Sequence, residues 1–156
     1  LLPDKNGKID DCVLGFDKAA EYDRHRDSTN CFGATIGRVA NRIRGANFTI
    51  DAQKTTLAVN CGDEHHLHGG DTGWHRKDWE SKEILNGVEF TYVSEDGDDK
   101  YPGKVINHVR YTLIENNLHV SFESRLAEGE TKSSPINLTN HSYFNLAGHA
   151  NESGVL

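Results

Sequence analysis

What most constrains this chain is a series of short, period-two segments cut by turn residues, with no long helical periodicity anywhere. Alternation places apolar side chains on one face of a strand, and strands must pair to satisfy their backbone. Val88-Glu89-Phe90-Thr91-Tyr92-Val93 alternates in part and follows Asn86-Gly87. That dipeptide suits the left-handed backbone of a tight hairpin turn. Residues 79–85 supply the partner strand, and Asn6-Gly7 between Leu2 and Ile9 predicts a second hairpin. Val105, Val109, Tyr111 and Leu113 share one parity; Asn116-Asn117 then breaks the run, and Leu118, Val120 and Phe122 alternate with His119, Ser121 and Glu123. This predicts an antiparallel pair with one buried face. Residues 95–103 form a loop rich in breakers, and a short helix is expected only over residues 17–22. With no internal repeat, low-complexity tract or interdomain linker, the expected class is all-β, an antiparallel sandwich.

Length and charge narrow the function. A chain of 156 residues fits one domain with a sizeable core. A net charge of −7 argues against nucleic acid or an anionic membrane as the main partner, the arginine-rich stretch from Arg38 to Arg44 being a local exception. No apolar run approaches the ~20 residues of a membrane helix. The start, Leu1-Leu2-Pro3-Asp4, lacks a signal-peptide pattern, and the missing initiator Met and the end at Gly154-Val155-Leu156 suggest a chain cut at both ends. Cys12, Cys31 and Cys61 are odd in number and widely spaced, which favours a reduced, cytoplasmic setting. Asn-x-Ser/Thr sequons begin at Asn47, Asn137, Asn140 and Asn151 and read as chance matches. Nothing in the sequence specifies an oligomeric state.

Three segments hold candidate chemistry. Gly33-Ala34-Thr35-Ile36-Gly37-Arg38-Val39-Ala40-Asn41-Arg42-Ile43 combines glycines with fixed positive forks, yet fits neither a Walker loop nor a dinucleotide fingerprint. On spacing alone it reads as a turn with solvated arginines. His65-His66-Leu67-His68-Gly69-Gly70 suggests metal, since His66 and His68 share a strand face, but no third ligand has companion spacing. The alternative is a neutral hydrogen-bonding histidine beside glycines that let a ligand come close. Metal ranks below sugar binding, and a partly exposed loop remains the plain reading. Asn137-Leu138-Thr139-Asn140-His141-Ser142-Tyr143-Phe144-Asn145-Leu146 mixes donors, acceptors and aromatic rings. Sugars need such partners, for hydroxyls and for C–H faces. Its plain reading is a half-buried strand with a structural histidine.

Taken in order, these three segments, with Val13-Leu14-Gly15-Phe16 and Tyr101-Pro102-Gly103, resemble the aldose 1-epimerase (galactose mutarotase) family across nearly the whole chain. The resemblance implies a large antiparallel β-sandwich, with residues 1–156 forming the amino-terminal and central part of one such domain. It implies interconversion of the α and β anomers of free hexoses such as D-glucose and D-galactose, without metal or nucleotide cofactor. Residue by residue, His141 matches the general acid, His68 a second active-site histidine that contacts the sugar, and Asn41 and Arg42 the substrate-binding pair. Ser142 and Tyr143 flank His141 in the binding segment. Imidazole suits the acid role because its ordinary pKa of ~6.5 lies near operating pH. The family's general base, a glutamate, and a sugar-binding aspartate before it belong to segments that this sequence does not contain. A poor catalyst is therefore expected from the 156-residue chain alone. The stretch before Leu67-His68 looks one residue longer than the family pattern, an expected loop adjustment that leaves His68 in place. Competing expectations are a hexose-6-phosphate epimerase holding phosphate with Arg38, Arg42 or Arg44, a catalytically silent sugar-binding domain, and a metal-binding β protein using His65, His66 and His68.

Overall fold

The computed structural model describes residues 1–4, 6–26 and 30–148. The sequon at Asn151 lies outside the described residues. In chain order the elements are β1 (Leu2–Pro3), β2 (Ile9–Asp10), α1 (Ala19–Arg24), β3 (Thr35–Ile36), β4 (Arg42–Ile43), β5 (Asn47–Ile50) and β6 (Gln53–Thr56), then β7 (His66–Leu67), β8 (Glu80–Ile84), β9 (Gly87–Ser94), β10 (Val105–Ile114), β11 (Asn117–Leu126) and β12 (Thr139–Asn140). Strands dominate, as the alternation predicts. No helix among the described residues is long and apolar enough to cross a membrane. Among the described residues the chain forms two compact units, one of residues 1–35 with 140–148 and one of residues 36–139.

The first unit is stitched by backbone bonds between distant motifs. Strands β1 and β2 form the expected hairpin, with Leu2 opposite Asp10 and Pro3 opposite Ile9. The Asp4 carboxylate accepts the N–H groups of Asn6 and Lys8, each at 2.8 Å, while Gly7 takes φ +81°. An Asx-type turn of this kind is what Asp and Gly favour. Downstream, Val13 bridges Phe144, Leu14 N–H donates to Tyr143 O at 3.0 Å, and Asn145 N–H donates to Cys12 O at 2.8 Å. The segment around Val13-Leu14-Gly15-Phe16 thus runs along the segment that follows His141. Helix α1 sits two residues later than expected. Its Tyr22 hydroxyl accepts Phe16 N–H at 3.0 Å, and a Cβ on Gly15 would fall 2.5 Å from that oxygen.

The second unit is built on an antiparallel sheet of order β11-β10-β9-β8. Val105 and Val109 on β10 are fully buried, and Asn107 lies between them on the same parity. A buried amide requires partners. Asn107 has them: its Nδ2 donates to Tyr92 O at 3.1 Å, and its Oδ1 accepts the Ser124 hydroxyl at 2.7 Å. The β8–β9 hairpin turns at Leu85-Asn86, with Asn86 at φ +58° and Gly87 already in the strand. The glycine of the Asn-Gly pair therefore serves packing. A Cβ there would sit 1.9 Å from Tyr111 O on β10. Gly87→Ala should cost roughly 1–3 kcal/mol through forced displacement of two strands, and an unchanged Tm by calorimetry would contradict this reading.

The expected buried face extends only part-way across the sheet. On β11 the alternation holds in register, with Val109 opposite Phe122, Tyr111 opposite Val120 and Leu113 opposite Leu118. Yet Leu118 is 59% exposed, Phe122 38% and Leu126 42%. A smaller core forms at the β5–β6 hairpin, where Ala46, Leu57 and Tyr101 are buried and Val39, Ile43 and Phe48 pack on them.

Candidate active site

Asn41, Arg42 and His68 lie in the second unit and are brought together by the β4–β7 pair, in which Arg42 faces Leu67 and Ile43 faces His66. The pairing continues past the strands. His68 N–H donates to Asn41 O at 3.1 Å, and Asn41 N–H donates to His68 Nδ1 at 3.0 Å. Both residues take positive φ, +63° for Asn41 and +53° for His68. Such backbone is uncommon outside glycine and marks a locally over-determined segment. Because a backbone N–H can only donate, Nδ1 of His68 carries a lone pair. In the neutral ring the proton is then on Nε2, which becomes a donor. Arg42 is exposed, with Nε donating to Cys61 Sγ at 3.3 Å and a terminal nitrogen to Asn41 Oδ1 at 3.3 Å. This group offers an amide, a fixed cation and an imidazole from two adjacent chain segments.

The glycines beside His68 do something different from admitting a ligand. A Cβ on Gly69 would sit 1.8 Å from Gly37 O, and one on Gly70 would sit 2.4 Å from Asp99 Oδ1. Both positions let the chain pack against itself. The preceding turn, closed by the Cys61–His65 bridge with Gly62 at φ +61°, projects into open space at Gly62.

His141, Ser142 and Tyr143 lie in the first unit. His141 N–H donates to Ala34 O at 2.9 Å, and its carbonyl accepts Gly33 N–H at 3.2 Å. The Asn140 side chain adds a clamp, donating to Gly33 O at 3.2 Å and accepting Ser142 N–H at 3.0 Å. That amide is committed to the loop. The His141 ring lies 5.0 Å from Tyr143, Tyr143 meets Phe32 edge-on at 5.6 Å, and Phe32 lies 5.8 Å from Phe16. A half-buried imidazole thus ends a row of aromatic rings.

The three imidazoles considered for metal are engaged separately. His66 is fully buried with both ring nitrogens bonded, Nδ1 to Ala58 O at 2.7 Å and Nε2 to the Tyr101 hydroxyl at 2.8 Å. His65 Nδ1 accepts Gly45 N–H at 3.4 Å. No group of three or more His, Cys, Asp or Glu placed to hold a metal occurs among the described residues.

The sequence aligns with the aldose 1-epimerase family over residues 1–155. The chain belongs to that family. It is 43% identical over 147 residues to the galactose mutarotase of Bos taurus, covering 94% of this chain and 41% of that protein. The solved structure of a GalM/aldose epimerase homologue from C. elegans superposes with a TM-score of 0.80 at 35% identity, covering 92% of this chain and 42% of that one. Galactose 1-epimerase from Lactobacillus acidophilus NCFM superposes with a TM-score of 0.74 at 32% identity, covering 88% and 40%. The chain therefore spans about two fifths of the length of the relatives it matches. These likenesses place its all-β architecture in the aldose epimerase fold.

Sequence reasoning missed the role of Arg38. The side chain is 1% exposed. One terminal nitrogen donates to Pro102 O at 2.6 Å, Gly103 O at 2.9 Å and Ser134 Oγ at 2.9 Å; the other donates to Ser94 Oγ at 2.8 Å and Glu95 O at 3.2 Å. Asp98 supplies opposite charge through Ser94, whose hydroxyl it accepts at 2.8 Å. Burial pulls the guanidinium below its ordinary pKa, and Asp98 opposes that shift. With its donors turned inward, Arg38 is closed to a phosphate.

Proposed function

We propose that this chain forms part of an aldose 1-epimerase that exchanges the α and β anomers of a free aldohexose, D-galactose or D-glucose, and that residues 1–156 belong to one domain of that enzyme. The observation that carries this reading is the reciprocal Asn41–His68 hydrogen bonding beside exposed Arg42, in a chain matching the family along its length. Vicinal sugar hydroxyls both donate and accept, and an amide, a guanidinium and an imidazole Nε2–H supply complementary partners.

Anomer exchange begins by opening the hemiacetal. A base removes the O1 proton as an acid protonates the ring oxygen O5; C1–C2 rotation and reclosure on the other carbonyl face then give the second anomer. In our reading His141 protonates O5 and retakes that proton on closure. Asn41, Arg42 and His68 bind the hydroxyls, while Ser142 and Tyr143 line the sugar beside His141. The base is assigned to no residue of this chain. A cytoplasmic setting belongs to the same reading and is supported by the odd number and wide spacing of Cys12, Cys31 and Cys61.

Arg42→Ala and His68→Ala should each lower kcat/KM for galactose about 10- to 100-fold, the worth of a hydrogen bond involving a charged or buried partner. Polarimetry of fresh α-D-galactose measures this, and unchanged kcat/KM in both variants would remove the binding assignment. Turnover of glucose 6-phosphate above that of glucose would redirect the proposal to phosphorylated sugars.

A further inference from the structure

We infer that Arg38, Tyr101 and His66 are positioning residues, a buried line that holds the Asn41–Arg42 and His68 segments in register. This rests on the reading of those segments as the sugar site. The line starts at the Arg38 guanidinium, which lies 5.5 Å from the centre of the Tyr101 ring and grips the two carbonyls that follow it, Pro102 O and Gly103 O. Phe48 stacks near the same ring, with centroids 6.1 Å apart. Tyr101 is 1% exposed, so its hydroxyl needs a partner inside the protein. That partner is His66 Nε2 at 2.8 Å.

The proton positions follow from the acceptor at the other end. His66 Nδ1 lies 2.7 Å from Ala58 O, and a carbonyl only accepts. Nδ1 therefore carries the hydrogen in the neutral ring, Nε2 offers its lone pair, and the Tyr101 hydroxyl donates. One tautomer and one ring orientation satisfy both ends. His66 is the β7 residue facing Ile43 and stands two residues before His68. Arg38 stands three residues before Asn41 on the other side of the same pairing. A side chain fixed at each flank leaves little freedom to slide β4 against β7. Group placement matters at this scale, since a shift of about 1 Å can cost up to roughly 100-fold in rate.

The test combines NMR with galactose binding by the purified whole protein. In the wild type, ¹⁵N spectra should show His66 as the Nδ1–H tautomer with an accepting Nε2. Tyr101→Phe, which keeps the ring and removes the donor, should shift the Nε2 resonance and weaken galactose binding about 10-fold. Gly87→Ala, which loses stability at a distant hairpin, should leave the affinity unchanged and so separates positioning from general loosening. Unchanged affinity in Tyr101→Phe beside weakened affinity in Arg42→Ala overturns the positioning line while leaving the sugar site standing. Unchanged affinity in Arg42→Ala overturns the sugar site itself. If Tyr101→Phe does not fold, the wild-type spectrum decides, and an Nε2–H tautomer of His66 overturns the inference.

Discussion

Replacing His141 with alanine in the whole protein should cut the enzyme-dependent mutarotation of fresh α-D-galactose by roughly 10²–10⁴-fold, the usual contribution of a positioned general acid. The expectation rests on placement as much as on chemistry. Bonds at both ends of its peptide, to Ala34 O and from Gly33 N–H, hold the backbone of His141, and the ring rests 5.0 Å from Tyr143. The backbone bonds do not depend on the side chain, so they persist in His141→Ala, which removes the proton carrier together with the ring's contact with Tyr143. His141→Gln, which keeps a donor but cannot exchange a proton near neutral pH, should be nearly as slow. Unchanged circular dichroism beside a collapsed rate is the expected pair of results. A rate within a few-fold of wild type in either variant would end the acid assignment.

Arg38→Met should destabilise the protein by about 3–5 kcal/mol, the range for breaking a buried, hydrogen-bonded charge cluster by removing one partner. Three backbone carbonyls and two hydroxyls lose their donor at once. With roughly 2–4 °C of Tm per kcal/mol for a chain of this size, the melting midpoint should fall by about 6–20 °C. Arg38→Lys should recover only part of this, since one ammonium presents three donors from a point where the guanidinium presents a planar fork. Chemical denaturation measures both variants, and a loss under ~1 kcal/mol for Arg38→Met would show that water replaces the guanidinium without cost.

The hairpins were legible because period-two alternation and turn residues are local signals. β9 and β10 form where the alternation lies, the burial of β10 follows it from Val105 to Val109, and the Gly7 turn closes where its sequence indicates. What failed to show was context. Asn86-Gly87 announces a turn, but the glycine's second duty, against Tyr111 O, depends on a strand 24 residues away. Leu118 and Phe122 alternate as core residues do, yet they stand at the sheet's edge, and alternation does not report strand order. In the candidate site, His141 was visible only through a resemblance; its local chemistry equally suits a structural histidine. Arg38 read as a surface charge because nothing nearby in sequence shows that its acceptors are carbonyls and hydroxyls of residues 94–103 and 134.

Those acceptors lie 56 to 96 residues along the chain from Arg38. Local hairpins can close early, whereas a contact of that span gains nothing until the intervening loop has already been ordered. The guanidinium then works as a latch that engages after the strands have assembled. Interactions absent from the transition state chiefly slow unfolding. On that account Arg38 governs how long the second unit stays folded more than how quickly it gets there, and so sets the lifetime of the Asn41–His68 arrangement beside it.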